Sequence, residues 1–326
     1  MFLITLPSGK RFSANEGQSL NDAAVQNGVT IPHSCRTGRC GACKCKISGP
    51  TNLLFDELSL NDLEKKDGWM LSCARSAMAD ICLEIEDFGD IKLSPPKIIP
   101  AKIQLLELKS KDVLKVILRL PPNKKFDFIE GQYIDLIGPN GISRSYSLAQ
   151  NSCENLLELH VRYLENGFMS NYLFNNTKIG DLFRINGPRG TFFLRKTFQT
   201  HIVFLATGTG IAPIKAMLES IEKMPNELRP KSVTLFWGGR YVSDLYWNPK
   251  ESLKSIKYIP VISRPDSEWL GEVGYVQDVM MKHYDEIKDL DVYACGSNDM
   301  IKSAQLKFQK SELNIKFFSD AFVVSG

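Results

Sequence analysis

No stretch of the 326-residue sequence approaches the ~18 consecutive apolar residues that a membrane-spanning helix requires. The amino terminus, Met1-Phe2-Leu3-Ile4-Thr5-Leu6-Pro7, lacks the basic start and the cleavage site of a secretory signal and reads as a strand. Net charge is only +3, too little to argue for nucleic acid or an anionic membrane as partner, and no basic patch stands out. Internal repeats and low-complexity tracts are lacking as well. Eight cysteines in a chain this long do not make a disulfide scaffold. These absences point to a cytoplasmic globular protein, and a monomer is expected. The length suffices for two or three domains with cores of their own.

Four of those cysteines carry a pattern. Cys35, Cys40 and Cys43 are spaced C-x4-C-x2-C, and Cys73 follows far downstream in Leu71-Ser72-Cys73-Ala74. This is the ligand spacing of a plant-type [2Fe–2S] cluster. Zinc sites usually bring cysteines as two close pairs, whereas here three close cysteines precede a distant single one. Four thiolates must converge on two irons, so the backbone has to loop tightly, and Gly38, Gly41 and Ala42 leave room for it. Cys45 and Cys82 fall on strands and read as small side chains without redox work.

Along the chain, Phe2–Leu6 and Lys10–Ser13 flank the turn Pro7-Ser8-Gly9 as a hairpin. Ser19 N-caps a helix with Leu20, Ala23, Ala24 and Val25 on its apolar side, stopped by Gly28. Lys44–Ser48 reads as a strand, Leu58–Lys66 as a helix containing Leu60 and Leu63, and Asp80–Glu86 as a half-buried alternating strand. Ser94-Pro95-Pro96-Lys97 reads as a semi-rigid linker. Strands are expected at Lys102–Leu108, Val113–Leu120, Gln132–Ile137 and Leu157–Tyr163. A helix near Ser170 follows, then Asp181–Ile185 and a turn at Gly187-Pro188-Arg189-Gly190; this is a small antiparallel barrel. From His201 the pattern changes. Continuous apolar runs at Ile202–Ala206 and Val233–Trp237 alternate with a helix from about Ile214 to Lys223, the strand Tyr258–Ile262, a helix Val276–His283 and the strand Asp291–Ala294. That is a doubly wound α/β domain. The expected division is 1–93, a linker 94–99, 100–198 and 199–326.

The first ninety residues resemble a β-grasp ferredoxin domain. Arg144-Ser145-Tyr146-Ser147 resembles the flavin-binding motif of the ferredoxin–NADP reductase superfamily. The resemblance implies that Tyr146 stacks on the isoalloxazine, the Ser147 hydroxyl reaches its reactive nitrogen, and Arg144 holds a pyrophosphate oxygen. His160-Val161-Arg162 and Gly167-Phe168-Met169-Ser170 occupy the places where the superfamily contacts the ribityl chain and pyrophosphate of FAD. For His160 and Arg162 an ordinary strand exterior is the alternative. Thr207-Gly208-Thr209-Gly210-Ile211-Ala212-Pro213 has proline where the dinucleotide fingerprint has its third glycine, which is the superfamily's usual form for NAD(P). Cys295-Gly296-Ser297 resembles the nicotinamide-side motif, which implies Cys295 beside hydride transfer; a small buried residue is the alternative. Phe322, in Asp320-Ala321-Phe322, either covers a flavin face, positions nicotinamide or simply packs. Arg240 after Gly238-Gly239 meets either a ribose 2′-phosphate or the pyrophosphate. With no second basic residue before Asp244, NADH is expected over NADPH.

The resemblance covers nearly the whole chain in the order ferredoxin, FAD barrel, NAD domain, as in soluble reductases serving multicomponent oxygenases and one deoxysugar pathway. It implies that NADH gives a hydride to FAD and that the cluster hands single electrons to a partner protein. That partner is a pyridoxamine-phosphate-dependent dehydrase or an oxygenase component. Gly131–Ile137, Arg144–Ala149 and the ending Phe317–Val323 look most like the deoxysugar branch. Arg36, Arg39 and Lys44 around the cluster loop lead to the expectation of an acidic patch on the partner.

Overall fold

The computed structural model describes residues 1–88, 91, 93–150, 155–195, 200–284 and 289–322. The expected boundary at 198–199 and Val323 lie outside the described residues. The chain divides into two units: one holds Met1–Leu93 with Gly190–Phe192, the other Ser94–Arg189 with Phe193–Phe322.

In the first unit, β1 (Phe2–Thr5) and β2 (Arg11–Ala14) form the expected hairpin. Helix α1 (Leu20–Gln26) begins where Ser19 Oγ accepts the Asp22 N–H at 3.1 Å. Leu20, Ala23 and Ala24 enter a core with Ile4, Phe12 and Leu83, while Val25 stays exposed. β3 (Lys44–Ser48), β4 (Thr51–Leu53), α2 (Asp62–Lys66), β5 (Trp69–Leu71), β6 (Arg75–Ala77) and β7 (Ile81–Glu84) follow. The main sheet runs β2-β1-β7-β3-β5 with β1 and β7 parallel, and β4 and β6 form a separate ladder. Helix α2 is shorter than Leu58–Lys66. Asn61 Oδ1 accepts the Glu64 N–H at 2.9 Å while Glu64 accepts the Asn61 N–H at 3.0 Å, a capping box that sets the start. Leu60 therefore packs from outside the helix, and Leu63 is exposed.

The second unit opens with an antiparallel sheet of β8 (Lys97–Ser110), β9 (Val113–Arg119), β10 (Tyr133–Ile137), β11 (Ser143–Ser147), β12 (Leu156–Arg162) and β13 (Leu182–Arg189), with α3 (Phe168–Asn175) between the last two. The order is β11-β10-β13-β8-β9-β12. A bridge from Leu148 to Leu159, with the Ala149 N–H donating to Glu158 O at 2.8 Å, joins the two end strands and rounds the sheet into a barrel. Its core includes Leu118, Ile134, Leu136, Leu157, Leu159, Val161 and Ile185. Each such side chain contributes about 1.5–3 kcal/mol by leaving water. Two expectations shift here. β8 begins at Lys97, inside the expected linker, and Pro100 is tolerated because Lys97–Ala101 pair only with β13. Gly187-Pro188 lies within β13 rather than a turn, since Gly187 lets that strand pass against Ile134.

The remainder is an all-parallel sheet, β17-β16-β15-β14-β18-β19, made of β14 (His201–Thr207), β15 (Ser232–Gly239), β16 (Lys257–Ile262), β17 (Glu272–Val273), β18 (Asp289–Ser297) and β19 (Asn314–Phe322). Helices α4 (Ile211–Lys223), α5 (Val276–His283) and α6 (Asn298–Gln309) connect its strands. Helix α4 starts three residues before the expected Ile214, because a 3₁₀ turn over Gly208–Gly210 runs straight into it. The order reverses between β14 and β18, so the loops after these two strands diverge and leave a crevice at their carboxyl ends. The loops also interlock. A Cβ on Gly210 would stand 2.1 Å from the Cys295 carbonyl oxygen, and one on Gly296 2.0 Å from Thr207 Oγ1.

The glycines of this crevice are therefore needed by the fold before any nucleotide arrives. Gly210→Ala and Gly296→Ala should each cost about 2 kcal/mol or more. Thermal unfolding without added nucleotide checks this; an unchanged midpoint would leave these glycines to ligand access alone.

Candidate functional site

The cysteine loop is wound by its backbone. Gly38 has φ +72°, and a Cβ there would stand 2.4 Å from Asp56 O, so the turn admits only glycine. Cys35 Sγ accepts the N–H groups of Thr37 and Cys40, both at 3.4 Å. Cys73 is brought to Cys43 by its neighbour Ser72, whose N–H and hydroxyl donate to Cys43 O at 3.0 and 3.2 Å. Asn21 of α1 holds Ser72 in turn, through its side chain and through its N–H to Ser72 O at 3.3 Å.

The thiols associate two by two. A hydrogen bond from Cys40 lowers Cys35 to about 5, and one from Cys43 lowers Cys73. In each pair one thiol is thus shifted in the direction that favours the thiolate, the form that binds metal. Among the described residues no three His, Cys, Asp or Glu side chains are arranged to hold one metal ion. Two metal positions, each taking two thiolates, match this arrangement, and Cys35, Cys40, Cys43 and Cys73 fit a [2Fe–2S] cluster. Cys45 is different. It is fully buried in the sheet core, burial pushes its thiol to about 12, and it donates to Met70 O at 3.5 Å. Cys82 is exposed on β7.

The charge expected around this loop is largely spent within the unit. Arg36 pairs with Asp22 at 3.4 Å, and Lys44 pairs with Glu64 while lying 4.7 Å over the Trp69 ring. Arg39 is exposed. Beside Cys73 runs a groove walled by Val25, Leu54 and Phe55, each 37–41% exposed. Apolar surface therefore shares this rim with charge.

On β11, alternation places Arg144 and Tyr146 on one face and Ser145 and Ser147 on the other. Tyr146 is half-buried against the barrel core, and burial pushes its hydroxyl up, against the pull of Arg144. Ser145 donates to Asp135 at 2.7 Å, and Asp135 pairs with Arg189 at 2.9 Å. Ser147 is buried at the strand's end. Helix α3 starts at Gly167 with no side-chain cap, so its first N–H groups are open to an anion. The Ser170 hydroxyl is already engaged with Leu164 and Gly167 carbonyls, at 3.2 and 3.0 Å. Met169 and Val161 turn their side chains into the barrel core and offer a ligand only backbone.

Strand β12 sends Glu158, His160 and Arg162 to its other face. His160 Nε2 meets Glu158 Oε1 at 2.8 Å, and its Nδ1 meets the Tyr246 hydroxyl at 3.0 Å. Burial lowers the His160 pKa against the pull of Glu158, so Nε2–H donates to the carboxylate and Nδ1 accepts from tyrosine. Burial alone would raise Glu158, but His160 and Lys215 bring it to about 2. Both ring nitrogens of His160 are thus engaged inside the protein. Arg162 pairs with Asp112 at 2.8 Å, and its NH1 lies where a Cβ on Gly208 would come within 2.6 Å.

At the parallel sheet's crevice, Thr207 Oγ1 accepts the Ser297 N–H at 3.2 Å. Thr209 and Gly210 are buried, and Pro213 takes the third position of α4, where a missing N–H costs nothing. Cys295 is fully buried; burial, then Asp320, keeps its thiol protonated. Phe322, 37% exposed, pairs in register with Ser297 at the same edge. Gly238 is buried near the end of β15, and Arg240 is exposed just beyond it.

Sequence reading missed Arg264. Its N–H donates to Arg240 O at 2.9 Å, so two exposed arginines stand side by side past β15 and β16. The available signal was a basic residue just after each of two consecutive buried strands. Lys215, Tyr246 and the Asn21–Ser72 pair were missed too, and only the fold brings them to their partners.

Residues 4–77 match the family model described as the 2Fe-2S iron-sulfur cluster binding domain, 100–194 the oxidoreductase FAD-binding domain, and 204–306 the oxidoreductase NAD-binding domain. The chain is 38% identical to CDP-6-deoxy-L-threo-D-glycero-4-hexulose-3-dehydrase reductase of Yersinia pseudotuberculosis, over 98% of this chain and 97% of that protein. It is 29% identical to the anthranilate 1,2-dioxygenase electron transfer component of Acinetobacter baylyi, over 99% and 97%. Among solved structures, the cytochrome P450 reductase GcoB of Amycolatopsis superposes with a TM-score of 0.74 at 26% identity, covering 99% of this chain and all of that one (100%).

Replacing Cys35, Cys40, Cys43 or Cys73 by serine should abolish the cluster's visible absorbance while FAD is retained, because serine is a poor ligand for iron. Cys45→Ser and Cys82→Ser should keep it. Iron and acid-labile sulfide analysis reads the result, and a cluster lost in Cys45→Ser but kept in Cys43→Ser would overturn the ligand set.

Proposed function

The chain belongs to the ferredoxin-, FAD- and NAD-binding oxidoreductases of the ferredoxin–NADP reductase superfamily, and we propose that it supplies electrons to a dehydrase acting on a CDP-linked 6-deoxyhexulose. It is an NAD(P)H-dependent iron–sulfur flavoprotein reductase that carries electrons from NADH to an acceptor protein. When bound, FAD takes a two-electron hydride and the [2Fe–2S] cluster passes electrons on one at a time. The observation that carries the choice of acceptor is the near full-length 38% identity to the Yersinia reductase.

The chain's own residues divide this work. Arg144 and the open N–H groups at the start of α3 hold the FAD pyrophosphate, Tyr146 lies along the isoalloxazine, and Ser147 stands at its reactive edge. Gly208, Thr209 and Gly210 bring the start of α4 to the NADH pyrophosphate. Arg240 and Arg264 reach the adenosine end, and this pair also keeps NADPH within range. Cys295, as a neutral thiol, and Phe322 border the nicotinamide. The modules are 1–93 for the cluster, 100–198 for FAD and 199–326 for NADH, acting as a cytoplasmic monomer. A second reading, reductase component of an oxygenase, draws on the Acinetobacter relative. The partner's matching surface combines apolar side chains for Val25, Leu54 and Phe55 with acidic groups for the basic rim of Arg36, Arg39 and Lys44.

Reconstitution tests the acceptor. The reductase, NADH and a pyridoxamine-phosphate-dependent dehydrase should together form the C3-deoxygenated sugar, and Cys73→Ser should abolish it. Rapid reduction of an oxygenase component, with no product from the dehydrase, would move the protein to the second reading.

A further inference from the structure

Three consecutive outward residues of β12 each meet a different part of the nucleotide-binding half of the unit. Glu158 meets Lys215 of α4 at 3.2 Å. His160 meets Tyr246, which follows β15, at 3.0 Å. Arg162 lies against Gly208 in the loop that opens α4. The inward residues that alternate with them, Leu157, Leu159 and Val161, belong to the barrel core. One strand therefore builds the barrel with one face and docks the nucleotide lobe with the other.

Lys215 is the centre of this contact. Its side chain is 11% exposed and lies on the first turns of the helix that begins at the glycine loop. Its Nζ donates to Ala149 O at 2.8 Å, two residues beyond Ser147, and pairs with Glu219 at 2.7 Å. Lys115 approaches the other oxygen of Glu158 at 3.6 Å. Glu158 thus faces both Lys215 and Lys115 as well as the His160 ring, while Glu219 and Glu107 pair with the two lysines from outside. The Tyr246 ring stands edge-on to Trp237, at 5.2 Å, and the Trp237 indole N–H donates to Gly208 O at 3.1 Å. The chain of contacts returns to the glycine loop by a second route.

We propose that Lys215 is a positioning residue for hydride transfer, fixing the glycine-loop end of α4 to the flavin-motif strand through Ala149 and Glu158, with the His160–Tyr246 contact as a second strut. The proposal rests on the NADH–FAD reading above. A buried ion pair of this kind adds little net stability over an apolar replacement, so what it contributes is geometry. Misplacement by about 1 Å can cost on the order of a hundredfold in rate. Sequence reading left His160 and Arg162 between a flavin contact and an ordinary strand exterior; the fold also sets them against Tyr246 and Gly208 in one docking strip.

The test compares Lys215→Met and Lys215→Arg holoprotein with the parent. Flavin reduction at saturating NADH should fall about tenfold or more in Lys215→Met, while the half-saturating NADH concentration changes less than about threefold. The long-wavelength absorbance of nicotinamide stacked on flavin should weaken, and Lys215→Arg should restore much of both. Independently of turnover, amide hydrogen exchange in β12 and the first turns of α4 should quicken in nucleotide-free Lys215→Met. An unchanged reduction rate and unchanged exchange overturn the proposal. If the parent itself fails to reduce FAD with NADH, the functional reading falls, while the exchange comparison still decides the docking role. Should Lys215→Met lose FAD, Tyr246→Phe removes the second strut and keeps its ring against Trp237; slower reduction supports the proposal and parental reduction with parental exchange overturns it.

Discussion

The alternation of β12 is the constraint on which the larger unit depends. Leu157, Leu159 and Val161 point one way because the barrel needs apolar filling, and the pleat then forces Glu158, His160 and Arg162 to the other side. Charged and polar groups in that position are costly unless matched. The matching groups, Lys215 and Tyr246, come from the neighbouring lobe, so burial of the polar face and docking of the two lobes are one event. Slipping β12 by one residue would turn the leucines toward Lys215 and Tyr246 and push unpaired charge into the barrel core together. The Arg144–Ser147 strand and the glycine loop after β14 can then sit on separate sheets and still keep a fixed separation.

The cluster module solves a different problem with similar economy. Its four sulfurs are gathered by backbone rather than by side-chain packing. Gly38 lets the loop close on Asp56, and Ser72 ties the distant fourth cysteine to the third. Asn21, on a helix that carries no ligand, anchors that tie. The two-by-two association of thiols suits two irons and leaves each sulfur near backbone N–H groups, which help set a cluster's potential. With Arg36 and Lys44 paired within the unit, apolar surface stands beside charge next to Cys73.

Much of this was legible in the sequence where a residue type has one use at one spacing. The cysteine spacing, the continuous apolar strands of the parallel sheet and the glycine motif after β14 belong to that class, as does the Ser19 cap. What escaped reading depends on contacts between distant residues. Arg264 gains meaning only beside Arg240, and Lys215 only beside Glu158. The positive charge read around the cluster loop was real in sequence, but its counter-ions, Asp22 and Glu64, come from α1 and α2. The overlong second helix came from counting leucines where the Asn61–Glu64 cap decides the start. The strand through Gly187-Pro188 was hidden because its glycine serves close packing on Ile134 rather than a turn.

The central claim is that electrons enter as a hydride at the flavin and reach the cluster only through it. Protein stripped of FAD but retaining its cluster, mixed anaerobically with NADH and followed by electron paramagnetic resonance, tests this most directly. No cluster reduction is expected until FAD is restored, and prompt reduction afterwards. Cluster reduction by NADH in the flavin-free protein would contradict it.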